Sequence, residues 1–86
     1  MSGTAGPGAD EVTLTIHDDD GNPVADADVW ISSDADGDIV VAGTLQTASD
    51  GTVGPFMLDA GVRYYCWRQK DGVTFDNPQS FVAVAD

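Results

Sequence analysis

The chain has 86 residues and a formal net charge of −12, because 15 acidic side chains are set against only 3 basic ones. A chain of this length forms a single domain and leaves no room for a multi-domain enzyme. Nucleic acid and anionic membranes are disfavoured as partners, since phosphate contacts need basic groups and only Arg63, Arg68 and Lys70 are present.

The sequence shows no sign of a membrane segment or of a secretory signal. No apolar run approaches the roughly 20 residues that a spanning helix needs. The first residues, MSGTAGPGAD, lack the basic start and apolar middle of a signal peptide. The single cysteine, Cys66, has no second cysteine with which to form an internal disulfide. We therefore expect no membrane insertion and no disulfide within the chain.

The acidic excess consists almost wholly of aspartate. Glu11 is the only glutamate and Lys70 the only lysine. Repulsion between like charges destabilises so small a domain at low ionic strength, and concentrated salt screens it, because the Debye length falls to about 3 Å at 1 M. Aspartate-rich, lysine-poor surfaces are similar to those of proteins from extreme halophiles. The composition therefore predicts a halophilic source; an acidic mesophilic domain with many Asp-Gly turns is the alternative.

Alternating apolar and polar residues predict strands through most of the chain. Residues 1–10 are predicted to form a flexible N-terminal arm, and residues 11–86 a single β-sandwich domain. Strands are expected at 11–17, 28–33, 39–46, 52–58, 62–69, 73–75 and 79–84, with a bulge at Gly43. No window shows helical periodicity with caps. The predicted fold class is all-β, a small immunoglobulin-like or prealbumin-like sandwich of six to seven strands.

Two sequence blocks carry a family resemblance. The run VTLTIHDDDGNPVADADVWI and the run TASDGTVGPFMLDAGVRYY resemble motifs of carboxypeptidase regulatory-like, transthyretin-like domains. The matching positions are Asp18, Gly21, Pro23, Val24, Ala27 and Val29 in the first block, and Thr47, Asp50, Gly51, Leu58, Gly61 and Tyr64 in the second. The resemblance covers residues 11–85 and implies a prealbumin-like sandwich. It also implies a binding or spacer module, of the kind found on enzymes, adhesins, transporters and phage structural proteins.

Few residues are available for catalysis. His17 is the only histidine and precedes three aspartates, and Cys66 is the only thiol. A His–Asp pair can orient a nucleophile. Alternation, however, puts Cys66 on the core face of its strand with Tyr64, and a buried free cysteine behaves as a small hydrophobe. We expect a protein that is not an enzyme and that holds no cofactor.

Two acidic turns are candidates for a metal site, because each carries oxygen ligands at alternate positions, as calcium loops do at their start. A calcium loop also needs a bidentate acid at its twelfth position, where Val29 and Leu45 stand. The prediction is therefore no metal, with the aspartates serving turn geometry and hydration. Calcium is the alternative, and its candidate ligands are Asp18, Asp20, Asn22, Asp34, Asp36 and Asp38.

Aromatic residues are the more informative feature. Ile31 and Cys66 are assigned to the core faces of their strands. Their neighbours Trp30, Tyr65 and Trp67 then point away from the core. Large outward aromatics are unexpected in a lone monomer, and Tyr and Trp are enriched where proteins meet. They predict a protein–protein interface; ordinary aromatic cover on a sheet, or a phase error at a bulge, is the alternative.

These features favour a non-enzymatic structural or adhesion module. Small size with its own Met1, the absent signal peptide, the arm and the outer aromatics favour a capsid decoration or tail accessory protein in the virion of a halophilic (haloarchaeal) virus. Its expected partners are capsid or tail proteins or copies of itself. The alternative is an accessory domain of a halophile cell-surface protein, calcium-stabilised or binding carbohydrate through the same aromatics.

Overall fold

The computed structural model describes residues 6–86, which form six β-strands. They are β1 (Asp10–Thr15), β2 (Asp28–Ser32), β3 (Val40–Gln46), β4 (Thr52–Leu58), β5 (Arg63–Gln69) and β6 (Gln79–Val82). None of the described residues forms a helix long and apolar enough to cross a membrane. The predicted all-β class is confirmed.

The strands form two antiparallel sheets that pack as a small sandwich. One sheet has two strands in the order β1-β4, and the other has four in the order β3-β2-β5-β6. In the larger sheet, Ile31 of β2 lies opposite Cys66 of β5, and Ala42 of β3 lies opposite Ile31 on its other side. The two central strands therefore present their buried residues to the smaller sheet.

The core lies between the sheets and follows the alternation of each strand. Val29 and Ile31 of β2 are fully buried, as are Phe56 and Leu58 of β4. Tyr64 is also buried, and its hydroxyl accepts a hydrogen bond from the backbone N–H of Asp59 at 3.1 Å. A buried tyrosine whose hydroxyl bonds to backbone combines apolar burial with a satisfied polar end.

Thr47 joins the strand ends at one side of the sandwich. Its side chain is buried, and its hydroxyl accepts from the N–H of Ala27 at 2.9 Å and donates to the carbonyl of Val24 at 2.7 Å. Nearby, Gly51 has a φ of +83°, and a Cβ there would lie 2.8 Å from Cβ of Pro23. Both positions serve folding, because each holds the segment before β2 against the β3–β4 turn.

The predicted bulge in β3 is confirmed. Val29 pairs with Leu45, but the next residue of β2, Trp30, pairs with Gly43, so Thr44 is the extra residue. Gly43 has a φ of +95°, a region that favours glycine. The extra residue breaks the regular ladder in the middle of this edge strand.

The predicted strand at 73–75 is wrong. Only one isolated bridge forms there, between Lys70 and Val73. The backbone of Arg68 instead pairs with a side chain, because Asn77 Oδ1 accepts its N–H at 3.0 Å and Asn77 Nδ2 donates to its carbonyl at 2.7 Å. An amide side chain therefore occupies the place on β5 that another strand would take.

The N-terminal segment meets β4 where the structure describes it. The N–H of Gly8 donates to the carbonyl of Met57 at 2.9 Å, and β1 begins at Asp10. A Cβ on Gly8 would overlap the backbone of Leu58, so glycine permits this close approach. The remaining part of the predicted arm, residues 1–5, lies outside the described residues.

Candidate interaction surface

The three predicted interface residues lie on one face of the four-stranded sheet. Trp30 and Trp67 are direct cross-strand partners on β2 and β5, and Tyr65 lies two residues from Trp67 on the same side. Each of the three is half-buried. Their neighbours Val29, Ile31, Tyr64 and Cys66 belong to the buried core, so this face is turned away from the β1-β4 sheet. We call Trp30, Tyr65 and Trp67 the outer aromatic face.

The loop after β2 covers part of this face. The indole N–H of Trp67 donates to Ser32 Oγ at 2.8 Å, and Ser32 Oγ donates to the carbonyl of Asp34 at 2.7 Å. A Cβ on Gly37 would lie 2.8 Å from Cζ2 of Trp67. The loop therefore lies directly over the Trp67 ring.

The same loop contains one of the two acidic turns. Asp34 Oδ1 accepts the N–H of Ile39 at 2.9 Å, and Oδ2 accepts the N–H of Asp38 at 3.1 Å. These bonds hold the pKa of the Asp34 carboxyl below its usual value, and the bond from Ile39 contributes most to this lowering. Carboxylate oxygens of Asp34, Asp36 and Asp38 lie within 4.8 Å of one another. Both oxygens of Asp34 thus serve turn geometry.

The other acidic turn is organised by Asp18. Its Oδ1 accepts two backbone N–H groups, from Asp20 at 3.0 Å and from Asn22 at 2.9 Å. This is the usual local bonding of aspartate in a turn, in which the side chain takes the place of a backbone acceptor. A folding role is therefore visible for the first residue of each candidate calcium turn.

His17 and Cys66 line different cavities between the sheets. His17 is exposed and borders a cavity of about 500 Å³. Cys66 is buried and borders a smaller one of about 150 Å³. Burial raises the pKa of the Cys66 thiol to about 11, although Arg68 partly offsets this. A thiol with so high a pKa is a poor nucleophile at neutral pH.

Arg68 is a buried cation that the sequence analysis missed. It is 8 % exposed, and its guanidinium donates to Asn77 Oδ1, Gln79 Oε1 and the carbonyl of Asp76. The Phe75 ring lies beneath it, with 5.2 Å between Cζ and the ring centroid. The available signal was its position two residues after Cys66, in phase with the core face of β5.

No family model matches the chain, and comparisons with curated proteins and solved structures found no match. The resemblance to carboxypeptidase regulatory-like domains stays a prediction.

Proposed function

We propose that this chain is a non-enzymatic structural module of a larger protein assembly, a capsid decoration or tail accessory protein in the virion of a halophilic virus. The observation that carries the proposal is the pairing of Trp30 with Trp67 on the outer aromatic face. Two tryptophans side by side on a sheet surface, with Tyr65 next to them, form the kind of patch that anchors protein interfaces.

The chemistry of the remaining candidate residues agrees with a binding role. The only thiol is buried and its pKa is raised, which opposes nucleophilic catalysis. The acidic turns use their first aspartates as backbone acceptors. The protein surface is then the remaining candidate for a functional site. Its largest half-buried side chains are the aromatic residues of the outer aromatic face.

The charge of the chain supports the halophilic part of the proposal. The three basic side chains donate to uncharged oxygens: Arg63 to Ser80 Oγ, Lys70 to the carbonyl of Ala25, and Arg68 to amides and a carbonyl. The partners in these contacts are not carboxylates, so the contacts pair no acidic side chain, and the net charge of −12 already counts all three cations. Repulsion of that size is tolerated best where dissolved ions screen it.

The test is the location of the chain in its source. Particles are sedimented from a culture in molar salt and probed with an antibody against the full chain, beside the cell-envelope fraction. Recovery with particles is expected. Recovery with the envelope alone would contradict the proposal and favour the cell-surface alternative.

The contribution of the outer aromatic face is tested with Trp30→Ala, with Trp30→Phe as the matched control. Trp30→Ala should reduce incorporation into particles, since truncation of a central aromatic anchor costs about 2 to 4 kcal/mol of binding. Trp30→Phe should retain most of it. Unchanged incorporation of a folded Trp30→Ala variant would remove the outer aromatic face from the interface.

A further inference from the structure

A groove runs between the two sheets on the side where β1 faces β6. Two cavities, of about 500 Å³ and about 150 Å³, adjoin along it, and Thr15 and Gln79 line both. The groove lies between the end of β1 and the start of β6. These strands belong to different sheets, so no ladder among residues 6–86 closes this side of the sandwich.

The two ends of the groove differ in chemistry. The smaller cavity is floored by apolar side chains, those of Leu14, Ile16, Cys66 and Phe81. The larger cavity is bordered by three carboxylates, those of Asp18, Asp19 and Asp76, and by one cation, Arg68. The Arg68 guanidinium is already bonded to Asn77 and Gln79, so the charge that faces a ligand is predominantly negative. A ligand that filled both would need an apolar part at one end and positive charge at the other.

The edge of β6 is open along this groove. The N–H of Ala83 donates to the carbonyl of Val62 on β5. Alternation along an antiparallel strand then directs the backbone groups of Phe81 toward β5 as well, and those of Ser80 and Val82 away from it. Among residues 6–86, no backbone bond reaches this outer edge of β6.

The other sheet edges are covered or interrupted. On β1, Asp86 donates its N–H to the carbonyl of Glu11 at 2.8 Å, and its carboxylate accepts the N–H of Thr13 at 2.9 Å. On β4, Gly8 occupies the edge at Met57. On β3, a bulge breaks the ladder.

The β6 edge is neither covered nor bulged within the part of the chain that the structure describes; its guards are its short length, four residues, and Pro78 just before it. Its four residues pair with β5 in unbroken register. Residues 77–85 carry no charged side chain, in a chain with a net charge of −12. Natural edges are usually guarded by charge, proline or a bulge, because an open regular edge recruits another strand.

We propose that this groove binds an extended segment of a partner protein, which adds to β6 as a further strand. Main-chain bonds to Ser80 and Val82 give affinity, and alternate apolar side chains of the segment enter the small cavity, as in other cases of strand addition. Lysine or arginine side chains of the segment meet Asp18, Asp19 and Asp76 at the larger cavity. The groove is separate from the outer aromatic face, and the proposal does not depend on that face or on the proposed function.

Charge favours a foreign segment over a second copy of this chain. A second copy brings another −12, and its only basic residues are Arg63, Arg68 and Lys70. Of these, Arg68 is buried and bonded within its own fold. A basic segment from another protein meets attraction at the same place, and electrostatic complementarity of this kind sets partner choice.

The test begins with a phage-displayed library of random nonapeptides, selected on the full chain. Enriched peptides are expected to alternate apolar and polar residues and to carry lysine or arginine at one end. The dissociation constant of the tightest peptide is then measured by titration, and its site is mapped by amide chemical shifts. The largest shifts are expected at β6 and at the end of β1.

Ser80→Pro tests the strand addition directly, with Ser80→Ala as its matched control. Proline removes the backbone N–H that points to the open edge, and edge strands tolerate proline when that N–H faces solvent. Ser80→Pro should bind the peptide about tenfold more weakly than wild type, the loss expected for about one hydrogen bond. Ser80→Ala keeps the N–H and should bind within about twofold.

A second pair of variants tests the attraction between the basic end of the peptide and the larger cavity, and it changes no residue of the sheets. Asp19→Lys reverses a carboxylate that lines the groove, and Asp20→Lys reverses its neighbour, which does not line it. Asp19→Lys should weaken peptide binding several-fold more than Asp20→Lys does. This pair decides the question if Ser80→Pro does not fold.

Four results would overturn the proposal. They are a library that yields no saturable binder, enrichment of acidic peptides, a folded Ser80→Pro variant that binds as tightly as Ser80→Ala, and equal losses for the two lysine variants. A concentration-dependent dimer that Ser80→Pro abolishes would assign the edge to a second copy instead.

Discussion

Trp67 and Ser32 are joined by a hydrogen bond of 2.8 Å from the indole nitrogen to a hydroxyl that is completely buried. Ser32 lies on β2 and Trp67 on β5, so the bond spans the two central strands on their outer face. Through Ser32 and the carbonyl of Asp34, the tryptophan also holds the acidic loop in place. Trp67 therefore has a structural role as well as a place in the outer aromatic face.

Replacement of Trp67 by Phe should separate these two roles. An aromatic ring remains, although a smaller one, and Ser32 loses its donor; we expect a loss of about 1 to 2 kcal/mol in the free energy of unfolding. Amide exchange should accelerate in the loop at residues 33–39. Urea denaturation and hydrogen exchange measure both effects, and Trp30→Phe is the control, which should change stability by less than about 0.5 kcal/mol. Equal losses in the two variants would contradict the structural role of the Trp67–Ser32 bond.

Salt should stabilise the free domain. Fifteen acidic side chains repel one another, and the three basic residues are bonded to uncharged oxygens. The melting temperature should therefore rise as KCl increases from about 0.1 M to 2 M, because screening removes the repulsion. A variant with Asp19, Asp20 and Asp36 replaced by Asn should show a smaller rise. A melting temperature that stays flat or falls would reject the halophilic interpretation of the charge.

The buried thiol should make stability depend on pH in the alkaline range. Burial raises the pKa of Cys66 from 9.0 to about 11, so the folded state holds this proton more tightly than the unfolded state. Its contribution is complete below pH 9 and declines as pH rises toward 11, by up to about 2 kcal/mol. Cys66→Ala should lack this component when unfolding is measured by urea at each pH. Parallel pH profiles of the two proteins would contradict it.

The contact of the N-terminal segment with β4 should be sensitive to one methyl group. Gly8→Ala places a Cβ against the backbone of Leu58, so the segment must move and the bond to Met57 is lost. We expect a loss of about 1 kcal/mol, the worth of one backbone hydrogen bond. Ala9→Ser, at the exposed next position, should be neutral within about 0.5 kcal/mol. An unchanged thermal melt for Gly8→Ala would show that the segment leaves β4 in solution.

Asn77 should be the most costly exposed side chain to remove from the β5–β6 connection. It bonds both backbone groups of Arg68 and also its guanidinium. Asn77→Ala leaves these partly buried groups without their partner, and we expect a loss of about 2 to 3 kcal/mol. Asn22→Ala, in an exposed turn, is the control and should lose less than about 0.5 kcal/mol. Chemical denaturation compares the two variants. Equal losses in the free energy of unfolding would show that the bonds from the Asn77 side chain to the Arg68 backbone do not stabilise the fold.

Alternation in the sequence was sufficient to orient the central strands. It placed Ile31 and Cys66 in the core and turned Trp30 and Trp67 outward, whereas the register that makes these pairs opposite is known only from the structure. The pairing of β2 with β5 was not predictable from the period alone, because thirty residues separate the two strands and each alternating strand fits several partners.

Neither the groove nor the burial of Arg68 could be predicted from the sequence pattern, and the reasons differ. The groove exists because β1 and β6, at opposite ends of the chain, close different sheets. The Arg68 guanidinium can be buried because Asn77 and Gln79 supply neutral acceptors from a later segment. A charged residue in a strand is ordinarily exposed, and only its partners show otherwise.

The partners of Arg63, Arg68 and Lys70 have a consequence for the environment in which the fold can persist. Each cation is held by the dipole of a hydroxyl, an amide or a carbonyl. Dissolved chloride and potassium compete with ion pairs, but they have no oppositely charged partner to displace from these contacts. These contacts should therefore weaken less in brine than ion pairs would, and the response of stability to ionic strength should come mainly from repulsion among the aspartates.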